Sequence, residues 1–359
     1  MSLSIGIVGL PNVGKSTLFK LLTKKEVDIQ NYPFCTIEPN TGIAFVPDER
    51  IKKLADNFRS KKVIPAVVKF VDIAGLVKGA SIGEGLGNQF LSHIKETDAA
   101  LHVVRCFESS EIIHTENSVN PLRDIDIINT ELAFKDLEQI EKQLSGLEKE
   151  VRSGNKDAVF NVEILKEIKN ILNKGESLQK YLQEKEKNLP DFAKLFLRAS
   201  EFLTAKPIIY ILNSTKTKDT EEIKNELERR KENYLITNIK EELEFSELGE
   251  EEKQELGFSE SAMPELIKRA YKTLGLITFF TTGEDETRGW TVRAGTKAPE
   301  AAGKIHSDFE KKFIRAEVIN WEKLLECGSY SIAKEKGLLR LEGKDYIVQD
   351  GDVVEIKHG

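Results

Sequence analysis

Four residues separate Gly9 from Gly14 in the stretch GIVGLPNVGKSTLF, and Lys15 and Ser16 follow at once. Glycine at those two places lets backbone N–H groups turn inward around phosphate oxygens with no Cβ in the way. A lysine at this spacing reaches the β- and γ-phosphates, and the Ser16 hydroxyl is placed to ligate Mg²⁺. Asn12, Val13, Gly14, Lys15, Ser16 and Thr17 are therefore the candidate nucleotide-binding loop, and Lys15 is also a catalytic candidate through its charge beside a transferring phosphoryl group. Further along, KFVDIAGLVKG puts Asp72 and Gly75 in Asp-x-x-Gly spacing. Its carboxylate can hold the Mg²⁺ shell, and its glycine N–H can sense a γ-phosphate. Between these segments, Thr36 in IQNYPFCTIEPN is expected to close on Mg²⁺ and the γ-phosphate; the alternative is an ordinary proline-bounded surface loop.

Hydrolysis also needs a group that orients water. In Ras-like enzymes that group is a glutamine directly after the Asp-x-x-Gly glycine. Here the position is Leu76, whose side chain cannot hydrogen-bond. His114, in a polar loop after ESSEII, is the second catalytic candidate, and its alternative is a plain loop histidine. His102 sits in an apolar run and reads as a packed histidine, while Arg105 and Lys78 read as structural or solvent-facing.

These residues need elements to hold them. Continuous apolar runs at 5–8, 67–71, 99–104 and 207–212 each end in a polar or glycine-bearing turn, as buried parallel strands do. Helical patterns at 16–22 and 87–94 alternate with them, which predicts an α/β layer fold with its loops at the strand C-termini. The glycine-rich 79–87 segment reads as a mobile switch. From about Asn129 the texture changes: Ala133, Leu137, Ile140, Leu144, Leu147 and Val151 recur at steps of four and three. SGNKD breaks this seam, and Leu165, Ile168 and Leu172 resume it, so an antiparallel coiled-coil hairpin is expected between two strands. The alternative is a charged helix that solvates itself. After residue 277, short β-rich runs surround the helix-like APEAAGKIHSDFEKKF, which predicts a small α+β module. The expected division is a discontinuous nucleotide domain over 1–120 and 205–276, a helical insertion over 121–204, and a C-terminal module over 277–359.

Composition narrows the class of protein. The chain has 359 residues, 40% hydrophobic and 31% charged, with a net charge of −7. No apolar run is long enough to span a bilayer, and the N-terminus lacks the basic start of a signal peptide, so a cytoplasmic protein with no membrane partner is expected. Cys35, Cys106 and Cys327 are far apart and odd in number, which suggests neither a disulfide framework nor a zinc site. An acidic balance argues against a protein whose main business is coating nucleic acid, and no DNA partner is expected; Lys311, Lys312 and Arg315 leave a local RNA contact open, with a solvated helix face as the alternative.

The segments GLPNVGKSTLF, NYPFCTIEPN, DIAGLVKGAS, HVVRCF, INTEL and AGTKAPEAAGKIHSDFEKKFIRAEV, in that order, resemble the YchF subfamily of Obg-type P-loop NTPases, the Obg-like ATPases. The resemblance runs nearly end to end. It implies a P-loop GTPase-like parallel-sheet domain, an inserted antiparallel coiled-coil hairpin and a C-terminal TGS domain, an α+β β-grasp. It also implies a ribosomal partner, met jointly by the coiled coil, the TGS module and the nucleotide domain, with a role in translation or stress response. Guanine specificity in this superfamily rests on Asn-Lys-x-Asp, whereas here Asn213 is followed by Ser214, Thr215 and Lys216. Obg-like ATPases share the departure and tend to prefer ATP, though they usually carry Glu where Lys216 stands. Losing a charged acceptor for two guanine donors costs about 1.5–3 kcal/mol. The expected cofactors are thus Mg²⁺ and ATP, with GTP as the alternative, and Asn213 is expected at the purine N7 edge common to both. Two function classes follow, a slow ATPase switch or a ribosome-binding adaptor whose nucleotide only stabilises the fold, and a GTP-binding switch of the Obg type is a third reading that Lys216 disfavours.

Overall fold

The structure is a computed structural model, which describes residues 3–23, 32, 40–75, 86–215, 220–249, 251–252 and 261–359. In chain order its first elements are β1 (Ser4–Val8), α1 (Lys15–Thr23), β2 (Thr41–Phe45), α2 (Glu49–Phe58), β3 (Lys62–Ile64), β4 (Val67–Asp72), α3 (Leu86–Lys95) and β5 (Ala99–Arg105). Four helices follow, α4 (Pro121–Arg152), α5 (Lys156–Asn173), α6 (Leu178–Lys185) and α7 (Asp191–Ser200). Then come β6 (Ile208–Asn213), α8 (Glu221–Arg229), β7 (Asn233–Thr237) and α9 (Ile239–Glu247). One sheet takes the order β2-β4-β1-β5-β6-β7, and β2 is its one antiparallel member. β1 and β5 are buried along their whole length, which is why they read as unbroken apolar runs rather than as alternating ones. The order reverses at β1, so the loop leaving its C-terminal end opens at the crevice where such sheets bind ligands.

α4 begins well before the seam detected in the sequence. Asn120 caps it by accepting from the Arg123 N–H, and Pro121 occupies the first turn, where a missing N–H costs nothing. In those first turns Ile125 and Ile128 pack against the nucleotide-domain core, not against the hairpin partner, so the heptad pattern starts only later. Beyond them Ile140, Leu165, Ile168 and Leu172 form the hairpin core with Leu137, Leu144 and Leu147. α6 and α7, which the sequence reading did not resolve, add Leu178 and Ala193 to it. The buried Asp136 carboxylate accepts from the Leu203 and Thr204 N–H groups and the Thr204 hydroxyl, which ties α4 to the chain re-entering the sheet.

The C-terminal strands are β8 (Leu276–Thr282), β9 (Glu286–Arg293), β10 (Phe313–Asn320), β11 (Arg340–Glu342) and β12 (Asp352–His358). Neighbouring residues point to opposite faces of this sheet. Phe279 and Val318 pack with Ala301 and Ala302 of the helix Ala298–Ile305, whereas Phe280 and Ile319 pack with Ile51 and Leu54 of α2. β3 lies within the 1–120 span, yet it pairs in parallel with β9 and becomes the edge of the second sheet, in the order β11-β10-β12-β8-β9-β3. Arg50 reinforces the junction: its guanidinium meets Asp350 at 2.6 Å and Asp48 at 2.7 Å. The chain that leads into Asp72 is thus built into the C-terminal module.

Candidate nucleotide site

The loop from Gly9 to Gly14 leaves β1 and opens directly into α1. Asn12 has φ 60° and Gly14 φ 106°, conformations that aim successive N–H groups into one concavity at a helix N-terminus. A Cβ on Gly14 would also come within 3.0 Å of the Asn213 amide nitrogen. Val13 is buried beneath the loop, Thr17 is half-buried, and Asn12 and Ser16 are exposed. Lys15 folds back so that Nζ donates to the Leu10 carbonyl at 2.7 Å. It is 8% exposed, and burial pushes its pKa down to about 8 against the opposing pull of Asp72. A desolvated ammonium held by one carbonyl is suited to receive anionic oxygens.

Asp72 stands beside Ile7 in the β1–β4 register, and its N–H donates to the Asn40 carbonyl at 2.8 Å. Three residues on, a Cβ placed on Gly75 would lie 2.9 Å from Lys15 Nζ and 3.1 Å from the Pro11 nitrogen. Gly75 therefore meets Lys15 at the loop, and Asp72 is near enough for its charge to act on the lysine. Mg²⁺ prefers oxygen ligands, and the Ser16 hydroxyl at the start of α1 with the Asp72 carboxylate at the end of β4 are donors of that kind, flanking the buried lysine. Asn213 is buried under the loop: Nδ2 donates to the Val13 carbonyl at 3.0 Å, and Oδ1 accepts from the Ile239 N–H at 3.1 Å. Its amide stitches β6 to the phosphate loop and to α9, and these two bonds leave its second N–H hydrogen unused.

His114 is 7% exposed, with its ring turned to Asp124. Its neighbour Ile113 accepts from Asn12 Nδ2 at 3.3 Å, so the backbone beside His114 reaches the phosphate loop although the ring does not point there. Arg105 has the structural role expected of it: Nε donates to the Phe107 carbonyl and Nη1 to the Ile112 carbonyl, which anchors the His114 loop from below. His102 is packed, 1% exposed, and burial pushes its pKa down to about 3. Thr36, Cys35, Leu76, Lys78 and Lys216 lie outside the described residues. The sequence reading missed Asp124; its signal was an acidic residue in the first turn of a capped helix. No helix among the described residues is long and apolar enough to cross a membrane.

Comparison with known proteins agrees with this fold. Residues 4–132 match a family model described as a 50S ribosome-binding GTPase, and residues 276–359 match the YchF-GTPase_C model, described as a protein of unknown function. The chain is 46% identical to the ribosome-binding ATPase YchF of Bacillus subtilis (strain 168) over 99% of each chain. It is 44% identical to Obg-like ATPase 1 of Gallus gallus, over 99% of this chain and 92% of that one. Among solved structures, the Schizosaccharomyces pombe YchF GTPase superposes with a TM-score of 0.81 at 38% identity, over 99% of this chain and 98% of that one. Those names are divided between ATPase and GTPase.

Proposed function

This chain belongs to the YchF family of Obg-like P-loop NTPases, and on that premise we propose that it is a Mg²⁺-dependent switch that binds and slowly hydrolyses ATP and associates with the ribosome to regulate translation or the stress response. The observation that carries the reading is the convergence of Gly75 on Lys15 at the mouth of the phosphate loop. Lys15 pairs with the β- and γ-phosphate oxygens, and the loop N–H groups complete the cradle. Ser16 and Asp72, with Thr36, would hold Mg²⁺, and the ion would supply positive charge to offset the charge of the transferring phosphoryl group. The Gly75 N–H meets the γ-phosphate, so the segment that follows Asp72 differs between the triphosphate and diphosphate states. His114 positions the attacking water in place of the missing glutamine.

Because β3 and α2 are built into the C-terminal module, the chain that leads into Asp72 links the nucleotide site to the surface that module offers to the ribosome. The names of the bacterial relatives support ribosome association, and they support a cytoplasmic protein with it. ATP is preferred because Lys216 stands where a guanine-reading carboxylate would be, a loss of about ten- to a hundredfold in GTP affinity. Calorimetric titration of nucleotide-free protein with ATP and with GTP, each with Mg²⁺, tests this. Tighter ATP binding is expected, with Lys216→Glu changing the ratio; tighter GTP binding would overturn the assignment of the base.

A further inference from the structure

The two ring nitrogens of His114 are both engaged. Nε2 lies 2.8 Å from Asp124 Oδ2, and a carboxylate only accepts, so Nε2 carries a hydrogen. Nδ1 accepts from the Glu116 N–H at 3.1 Å and so carries none. The pair is 5% and 3% exposed at the side chains. A water needs one of those nitrogens, and in this arrangement neither is open to it.

We propose that Asp124 is a positioning residue that parks His114 off the phosphates, and that breaking the His114–Asp124 bond is the step that admits hydrolysis. The proposal rests on the reading of His114 as the residue that positions the water. The bond is built to be broken without a large penalty. The other oxygen of Asp124 accepts from Arg123, at 3.3 Å from Nε and 3.0 Å from Nη2, so the carboxylate keeps a cationic partner when the imidazole leaves. Asp124 also sits in the first turn of α4, where the helix dipole favours its charge whether or not the histidine is present. For the histidine, the backbone beside it is already at the loop. Its neighbour Ile113 is already hydrogen-bonded to Asn12 of the phosphate loop, and Arg105 pins the Phe107 and Ile112 carbonyls, so the ring's direction is what separates parked from active. Asp124 belongs to the 32-residue helix that forms one arm of the hairpin. A partner that grips the hairpin therefore acts on the helix that holds the latch.

The test is single-turnover ATP hydrolysis without ribosomes. Asp124→Asn keeps an acceptor of the same shape but removes the charge from the bond, and the expected result is a rate about five- to tenfold higher with the nucleotide KM unchanged. The double variant with His114→Ala should be no faster than His114→Ala alone. If His114→Ala leaves the rate unchanged, the reading of His114 itself fails. If His114→Ala slows hydrolysis but Asp124→Asn does not raise it, the latch is wrong and that reading stands. A second measurement uses the native chain. Nitrogen-15 histidine spectra, with His114 assigned by its absence in His114→Ala, should show the Nε2–H tautomer without nucleotide and a changed signature with Mg²⁺, ADP and aluminium fluoride. An unchanged signature would overturn the proposal.

Discussion

Gly75→Ala removes one contact and leaves the fold around it. The position needs no left-handed backbone, so alanine is conformationally acceptable; the conflict is steric. The new methyl carbon would fall 2.9 Å from Lys15 Nζ, 3.1 Å from the Pro11 nitrogen and 3.3 Å from Pro11 Cα. Pro11 belongs to the phosphate loop and gives little, so the 73–75 segment must back away by several tenths of an ångström, and its N–H leaves the place where a γ-phosphate oxygen would be. A hydrogen bond to a charged oxygen is worth about 1.5–3 kcal/mol, or about ten- to a hundredfold in affinity. ADP never makes that bond, while crowding at Lys15 acts on both nucleotides. The preference for a non-hydrolysable ATP analogue over ADP should therefore fall by about ten- to a hundredfold. Titration calorimetry at fixed Mg²⁺ and salt measures the ratio in the native chain and the variant. An unchanged ratio with both affinities intact would refute the claim that Gly75 senses the third phosphate.

Three other outcomes follow from the same geometry. The pKa of Lys15, lowered to about 8, means that the free protein loses the phosphate-binding ammonium as pH rises through 8. MgATP affinity should fall about tenfold between pH 7 and pH 9, while the unliganded protein gains stability over the rise from 8 towards the ordinary lysine range; a flat affinity profile, or the same profile in Lys15→Ala, would contradict this. Asn213→Ala abandons the Val13 carbonyl and the Ile239 N–H. It should cost about 1–3 kcal/mol in urea unfolding and weaken ATP and GTP by the same factor, whereas unequal factors would make Asn213 a reader of the base. Leu54, fully buried between α2 and the second sheet, should cost about 2–5 kcal/mol as Leu54→Ala, and a loss within error of zero would mean that the α2 contact is not a packed one.

The phosphate loop was legible because its chemistry is local: Gly9, Gly14, Lys15 and Ser16 are bound together by spacing alone, and β1 before them announces itself by burial on both faces. The hairpin seam was legible for a similar reason, since Leu137, Leu144, Leu165 and Leu172 repeat at helical steps. The start of α4 was not, because Ile125 and Ile128 serve a different core and break that repeat. β3 could not be read at all: its three residues hold one buried side chain, Ile64, and their partner strand lies more than 200 residues away. Asp124 is ten residues from His114, but the bond between them forms only once a loop folds back on a helix start, which no periodicity records.

If the third phosphate sets affinity for the ribosome, co-sedimentation with ribosomes shows it most directly. Retention should differ clearly between a non-hydrolysable ATP analogue and ADP, with the ATP state following the analogue until hydrolysis. Equal retention with ATP, with ADP and with the analogue would contradict the account and leave a ribosome-binding adaptor with incidental hydrolysis.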